Sequence, residues 1–394
     1  MTKIQLPQLE IKKFLDLASY VKCNSTLMPI TEYIKLDIKR GLVTMIFSNE
    51  TNIVMYSFAV ESSIPNCSIL ISYLELVKYY KEKRGAILFI KDYGKDDEKN
   101  PGKQEFDDLD FKRSYKIPFD IVIETFPKIP TIPKSDQFSK IEKKVINMMD
   151  SGRRFVLDES KDKLRPIFNN INIKDGLLVS TDRNISLIYS NIGLDKFFSF
   201  TLNVSSFVSN FDYFDCYISL ENNWMIIKNK TVIFCERLKE LDDNNDWFFN
   251  TINSFTGIID KKNKIRISVK GFYDFCKSSI PYIKEETVNS KLLILDNGKV
   301  ELTYSCEGNE SGKMIEDEVR KIVDAEVIGY EKDFSFLFSQ KQIMKVLEGL
   351  NKEILNISEC VESNGRKGYI AFWLEGDDTF HSICSKGIEP SKLG

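Results

Sequence analysis

The chain has 394 residues, 42% of them hydrophobic and 29% charged, with a formal net charge of −3. That is globular composition, with apolar material for two or three domain cores. It argues against a protein that coats nucleic acid with its whole surface, and it leaves room for a local basic face.

The first helix-like stretch is LEIKKFLDLASYVK, whose Leu9, Ile11, Phe14, Leu15, Leu17, Ala18 and Val21 fall near one helical face. Leu27-Met28-Pro29-Ile30 follows, then strand signals in YIKLDI, GLVTMIF and TNIVMYSFAV. Residues 71–85 predict a second helix ending in Lys, Arg and Gly. Residues 93–113 are charged and aperiodic and predict a long hairpin loop, and the three prolines of 125–137 predict a linker.

The same order then recurs. FSKIEKKVINMMDSG predicts a helix over 138–152, with Phe138, Ile141, Val145, Met148 and Met149 on its apolar face. Leu164-Arg165-Pro166-Ile167 lies 137 residues after its first counterpart and again leads into alternating strands, with Gly176-Leu177 matching Gly41-Leu42. A second helix is expected at 203–215, which carries acids and no lysine, and a boundary near 253–264. A fainter third round has helices expected at 269–286 and 338–353 and a hairpin around Asp296-Asn297-Gly298. Each third reads helix, strands, helix, strands, over about 131 residues.

Catalytic constellations are wanting. His381 is the one histidine, so a Ser-His or Cys-His device would have to rest on it. Residues 308–314 have three residues between the glycines and Met after the lysine, where a phosphate loop needs four and a hydroxyl. DDNND at 242–246 lacks the glycine and the terminal glutamate of a calcium loop. No metal or cofactor is expected. The eight cysteines are scattered without a C-x-x-C and read as reduced thiols. Without a signal-like start or a run of about 18 apolar residues, the expectation is a cytoplasmic chain off the membrane.

The remaining signal is cationic. Lys12 and Lys22, Lys78, Lys81 and Arg84, Lys140, Lys144, Arg153 and Arg154, Lys277, and Lys341 and Lys345 lie on the expected helices, while many acids lie in loops. Lys140, Lys144 and Arg154 fall off the face set by Ile141, Val145 and Met148 and are expected to project away from the sheet.

With Leu27 and Pro29-Ile30, Leu164-Arg165-Pro166, Gly176-Leu177, Ser180-Thr181-Asp182 and ETFPKIP at 124–130 in this order, the chain resembles the bacterial sliding clamp, the beta subunit of the replicative DNA polymerase. The resemblance implies an α+β fold of three repeated clamp domains, 1–132, 133–256 and 257–394. Each would pack two helices on antiparallel sheets, and the chain would form half of a six-domain ring. It implies no catalysis, DNA held without sequence reading by the cations named above, and a head-to-tail homodimer that hides sheet edges. The expected partners are double-stranded DNA, a DNA polymerase and a clamp loader.

The resemblance also implies a partner-peptide cleft involving Phe168, Thr181, Arg183, Ile185 and Leu187, with Ile383 and Ile388 near the C-terminus. Here the usual Thr-Asp-Gly-His-Arg-Leu run reads TDRNIS, and SICSKGIEPSKLG stands in place of the family's Met-Pro-Met type of ending. A reshaped cleft that accepts a different peptide follows. A second reading keeps the fold but makes the chain an adaptor or decoy that binds host replication proteins without encircling DNA. An unrelated enzyme is the third, and it lacks a site.

Overall fold

The structure, a computed structural model, describes the chain apart from residues 1, 22–28, 50, 61–63, 83–85, 108–111, 158–164, 220–222, 239–245, 280–288, 296–297, 311–312, 333, 349, 351–352, 362–367, 375–376 and 386–394. Its elements run through one order three times: strand, helix, four strands, helix, three strands. The first round is β1 (Thr2–Pro7), α1 (Gln8–Ala18), β2 (Tyr33–Lys39), β3 (Leu42–Ser48), β4 (Asn52–Ala59), β5 (Cys67–Ser72), α2 (Tyr73–Glu82), β6 (Ile87–Asp92), β7 (Lys103–Asp107) and β8 (Lys112–Lys116). The second is β9 (Ser139–Glu142), α3 (Lys143–Gly152), β10 (Ile171–Lys174), β11 (Leu177–Thr181), β12 (Ile185–Tyr189), β13 (Phe198–Phe200), α4 (Leu202–Val208), β14 (Tyr213–Ser219), β15 (Trp224–Lys228) and β16 (Val232–Arg237). After α5 (Asp246–Gly257) the third is β17 (Lys264–Ser268), α6 (Val269–Ser279), β18 (Asn289–Ile294), β19 (Lys299–Glu310), β20 (Lys313–Ile328), β21 (Ser335–Ser339), α7 (Gln340–Leu347), β22 (Ile354–Cys360), β23 (Tyr369–Leu374) and β24 (Asp377–Ser385).

The repeated words in the sequence become repeated local geometry. Pro29 and Pro166 each open a short 3-10 turn, Pro29–Glu32 and Pro166–Asn169, where a missing N–H costs nothing. Arg40-Gly41 and Asp175-Gly176 form two-residue hairpin loops with positive φ at both positions (52° and 77°, 50° and 76°), the mirror-image turn that matches strand twist. The conserved wording Gly-Leu within this chain is thus a turn residue followed by the first residue of a strand.

Several sequence expectations are corrected. A short strand precedes the first helix of each round, so Lys140 stands on β9 and not on a helix. Strands of four to six residues carry too few alternations to stand out before a helical pattern. The expected helix at 203–215 stops at Val208, and Asp212 and Asp215 lie beyond it, Asp215 on β14. α4 is therefore uncharged and not acidic. β7 and β8 occupy part of the expected loop at 93–113, and α5 covers part of the expected boundary at 253–264. α6 ends at Ser279, and 280–288 lie outside the described residues. α7 starts later than expected because Phe338 and Ser339 belong to β21, and it ends at Leu347.

The chain packs as two compact units, Met1–Lys143 with Asn210–Glu240, and Lys144–Ser209 with Leu241–Gly394. The first holds a four-stranded sheet, β1-β6-β7-β8, and an eight-stranded one, β5-β2-β3-β4-β16-β15-β14-β9. The second is built on a twelve-stranded sheet, β13-β10-β11-β12-β24-β23-β22-β17-β20-β19-β18-β21. Every strand pairing among the described residues is antiparallel. Two joints stitch one round to the next: β4 to β16, with Val54 opposite Phe234, and β12 to β24, with Ser186 opposite Ile383. Each carries buried apolar side chains, Ile53, Val54 and Phe234 at the first and Leu187, Ile188 and Ile383 at the second, and burial of such surface stabilises by about 25 cal/mol per Å².

Candidate functional site

Two sets of residues carry the functional argument: the cations and the surroundings of the β11–β12 turn. In the first unit Lys12 on α1 and Lys81 on α2 are exposed. Lys78 is exposed and pairs with Glu75 at 3.0 Å. Glu75 also accepts from Arg113 Nε at 2.5 Å, and Arg113 first, then Lys78, hold its carboxyl below the usual range against the opposing effect of burial. Lys140 on β9 is exposed, pairs with Glu142 at 3.4 Å and lies 5.2 Å from the centre of the Tyr213 ring.

In the second unit Lys144 on α3, Lys277 on α6 and Lys341 on α7 are exposed. Arg153 pairs with Asp150 at 3.0 Å, and Arg154 lies 3.9 Å from Glu348. Lys345 is bound to Asp182 by a short ion pair. Lys22 and Arg84 lie outside the described residues.

The expected cleft residues separate onto two faces of the twelve-stranded sheet. Ile185 and Leu187 point into the core with Phe272, Phe338 and Leu355 and are shut from solvent. Phe168 and Ile383 belong to the opposite core, with Val179, Ile188, Phe248 and Trp373. The reason is the two-residue period of a strand: on β12 the residues facing Phe168 and Ile383 are Ser186 and Ile188, one position from those expected. Ile388 lies outside the described residues.

What the fold assembles instead is an aromatic and cationic cluster. Phe168, in the Pro166–Asn169 turn, meets Trp247 at 6.4 Å and Phe248 at 6.0 Å, both edge-on. Trp247, in the first turn of α5, is 48% exposed. The guanidinium carbons of Arg165 and Arg183 lie 5.3 Å and 5.2 Å from the Phe168 ring centre, within cation–π range. Both arginines are exposed. Asp246, next to Trp247, is paired with Lys174.

Side-chain hydrogen bonds fix the turn that presents Arg183. Asp182 Oδ1 accepts from the N–H of Asn184 at 3.1 Å and of Ile185 at 3.0 Å. Thr181 Oγ1 accepts from the Arg183 N–H at 3.0 Å and donates to the Ile185 carbonyl at 2.9 Å. Arg183 sits at φ 75°, uncommon for a residue with a side chain. Sequence reasoning missed Trp247 and Arg165. Trp247 had a usable signal, a large aromatic next to a charged stretch; its approach to Phe168 had none, because 79 positions separate the two.

Among the described residues no cluster of His, Cys, Asp and Glu could hold a metal. Burial pushes the Cys235, Cys276 and Cys360 thiols up to about 12, so they are inert core fillers. Among the described residues no helix is long and apolar enough to cross a membrane.

No protein-family model matches the sequence, and no curated protein sequence matches it. Solved structures do match, along nearly the full length. A DNA polymerase III beta chain of Streptococcus pneumoniae superposes with TM-score 0.75 at 15% identity, over 99% of this chain and 100% of that one. A DNA polymerase sliding clamp of Pseudomonas aeruginosa gives 0.76 at 12%, over 99% and 100%. A beta subunit of Thermotoga maritima gives 0.73 at 15%, again over 99% and 100%. The fold is that of the bacterial sliding clamp. At such identities side chains have been exchanged nearly everywhere, so the clamp fold rests on backbone and burial pattern and not on shared site residues.

Proposed function

We propose that the chain is a DNA sliding clamp, a non-enzymatic processivity factor that closes head to tail with a second copy around double-stranded DNA. Three domains, 1–132, 133–256 and 257–394, would form half of a six-domain ring in the cytoplasm. Lys12, Lys78, Lys81, Lys144, Lys277 and Lys341 would face phosphates without reading bases. The Phe168–Trp247 cluster would receive a segment of a polymerase or clamp loader.

The observation that carries this reading is a joint left open. Within the chain, β4 of the first round joins β16 of the second, and β12 of the second joins β24 of the third. By the same rule β20 of the third round should join β8 of a first round, and the chain has no such pairing among its described residues. β8 pairs only with β7, and residues 313–324 of β20 pair only with β19. The sequence of β8 is Lys-Arg-Ser-Tyr-Lys, and residues 313–324 of β20 mix the acids Glu316, Asp317, Glu318 and Asp324 with the bases Lys313, Arg320 and Lys321. Apolar surface is available too. Ile322 on β20 is 58% exposed, and Leu74, beside the Glu75 that pairs with Arg113 of β8, is 55% exposed. Two such joints in a symmetric dimer close a ring and remove the open edges.

Sedimentation at micromolar concentration should give a dimer near twice 45.6 kDa, retained on nicked circular DNA and released when the circle is linearised. A monomer without circle-dependent retention overturns the proposal. The reshaped β11–β12 turn favours one alternative, an adaptor that binds replication proteins off DNA. Reversing the charge of Lys144, Lys277 and Lys341 together separates the two: a clamp loses polymerase stimulation, and an adaptor keeps its binding.

A further inference from the structure

Lys345 stands apart from the other helix cations. Its neighbour Lys341, one turn earlier on α7, is exposed, whereas the Lys345 ammonium is bound to Asp182 Oδ2. The side chains are 35% and 12% exposed, so the pair is partly sheltered and worth more than a solvated surface pair. The other oxygen of the same carboxylate holds the N–H groups of Asn184 and Ile185. Those bonds and Thr181 hold Arg183 at φ 75°, with its guanidinium over Phe168. A residue in that backbone region persists only while its surroundings over-determine it. One carboxylate thus links α7 to the geometry of the exposed Trp247 surface. Glu348, just after α7, lies 3.9 Å from Arg154.

We propose that Lys345 is a positioning residue: through Asp182 it keeps Arg183 over Phe168, and a polyanion lying along α7 loosens that arrangement by competing for its ammonium. Lys341 and Lys345 are four positions apart and share a helix face, so a phosphate chain attracted by the first reaches the second. Phosphate and carboxylate then compete for one cation, and only the carboxylate is also needed by the turn. Occupied and vacant α7 therefore present different partner surfaces. The inference rests on the clamp reading for the identity of the polyanion, duplex DNA.

Amide hydrogen exchange at Arg183, Asn184 and Ile185, followed with and without nicked circular duplex DNA at low salt, tests this, with DNA retention measured on the same samples. In the wild type, DNA should speed exchange at these amides by roughly tenfold, the loss of one charge-assisted contact. Lys345→Met should exchange fast without DNA and show no further change. Asp182→Asn, which keeps the acceptor for the two N–H groups but loses the charge, should likewise cease to respond. Lys345→Arg should restore the response, which a purely structural contact would not show. DNA binding with unchanged exchange in the wild type overturns the coupling and leaves the clamp reading standing. Absence of DNA binding by the wild type overturns both.

Discussion

The joints closed within the chain and the edges left open are made of different chemistry. At the β4–β16 joint Ile53, Val54 and Met55 meet Cys235, Phe234 and Ile233, and most of these side chains are buried. The β8 edge carries Lys112, Arg113 and Lys116, and behind it Glu105 of β7, 1% exposed, is ringed by Lys103 and Lys112 at 2.7 Å and Lys91 at 3.9 Å. An apolar joint is permanent, because separating it exposes oily surface to water. A charged edge stays soluble when open, and its attraction to an opposite edge weakens with salt. If the chain closes into the proposed ring, the second kind of edge suits a joint that opens and the first kind suits the joints that do not.

That contrast can be broken at either side. Val54→Asp places an unpaired charge in the closed joint and should destabilise the chain by about 3–5 kcal/mol, seen as loss of the cooperative thermal transition. Ile322→Arg at the open edge should leave the fold intact and weaken dimerisation by about 100-fold, measured by sedimentation. Unfolding caused by Ile322→Arg would show that the edge is already used inside the chain.

Glu105 sharpens the comparison through pH. Burial alone would raise its carboxyl, and the ion pairs with Lys103 and Lys112 outweigh that and hold it at about 2, against an ordinary 4.5. The folded value is the lower one, so its stabilisation is fully present above the ordinary value and is lost as pH falls toward 2. Glu105→Gln should lower the melting temperature at neutral pH by a few degrees and narrow its gap to the wild type as acid is added. The smallest effect is that of salt: from low to moderate ionic strength the dimer should weaken several-fold, while the melting temperature of the monomeric Ile322→Arg variant barely moves.

Much of the fold was legible because it is written in short-range patterns. Leu-x-Pro-Ile, Gly-Leu and the 137-residue spacing mark turns and strand starts that depend on neighbours alone. The amphipathic stretches of α1, α2, α3 and α7 were found for the same reason, while β1, β9 and β17 were lost in front of them, having too few residues to show a period. The cluster around Phe168 was legible only in part. Phe168, Thr181, Arg183 and Ile383 were named and lie on or beside one face, whereas Ile185 and Leu187 face the other core. A one-residue error suffices to turn a strand residue through the sheet. Lys345 was grouped with the surface cations because helical spacing cannot show a carboxylate 163 positions away.

The sequence by itself determined that one unit of helices and hairpins is written three times and that the thiols are not paired by any motif. Those are properties of residues and their near neighbours. Only the tertiary structure decided which strands join rounds, which edges stay open, and that Arg165, Arg183 and Trp247 gather on Phe168. Pairing between distant strands is set by which apolar faces can be buried together, and that is a property of the whole packed chain.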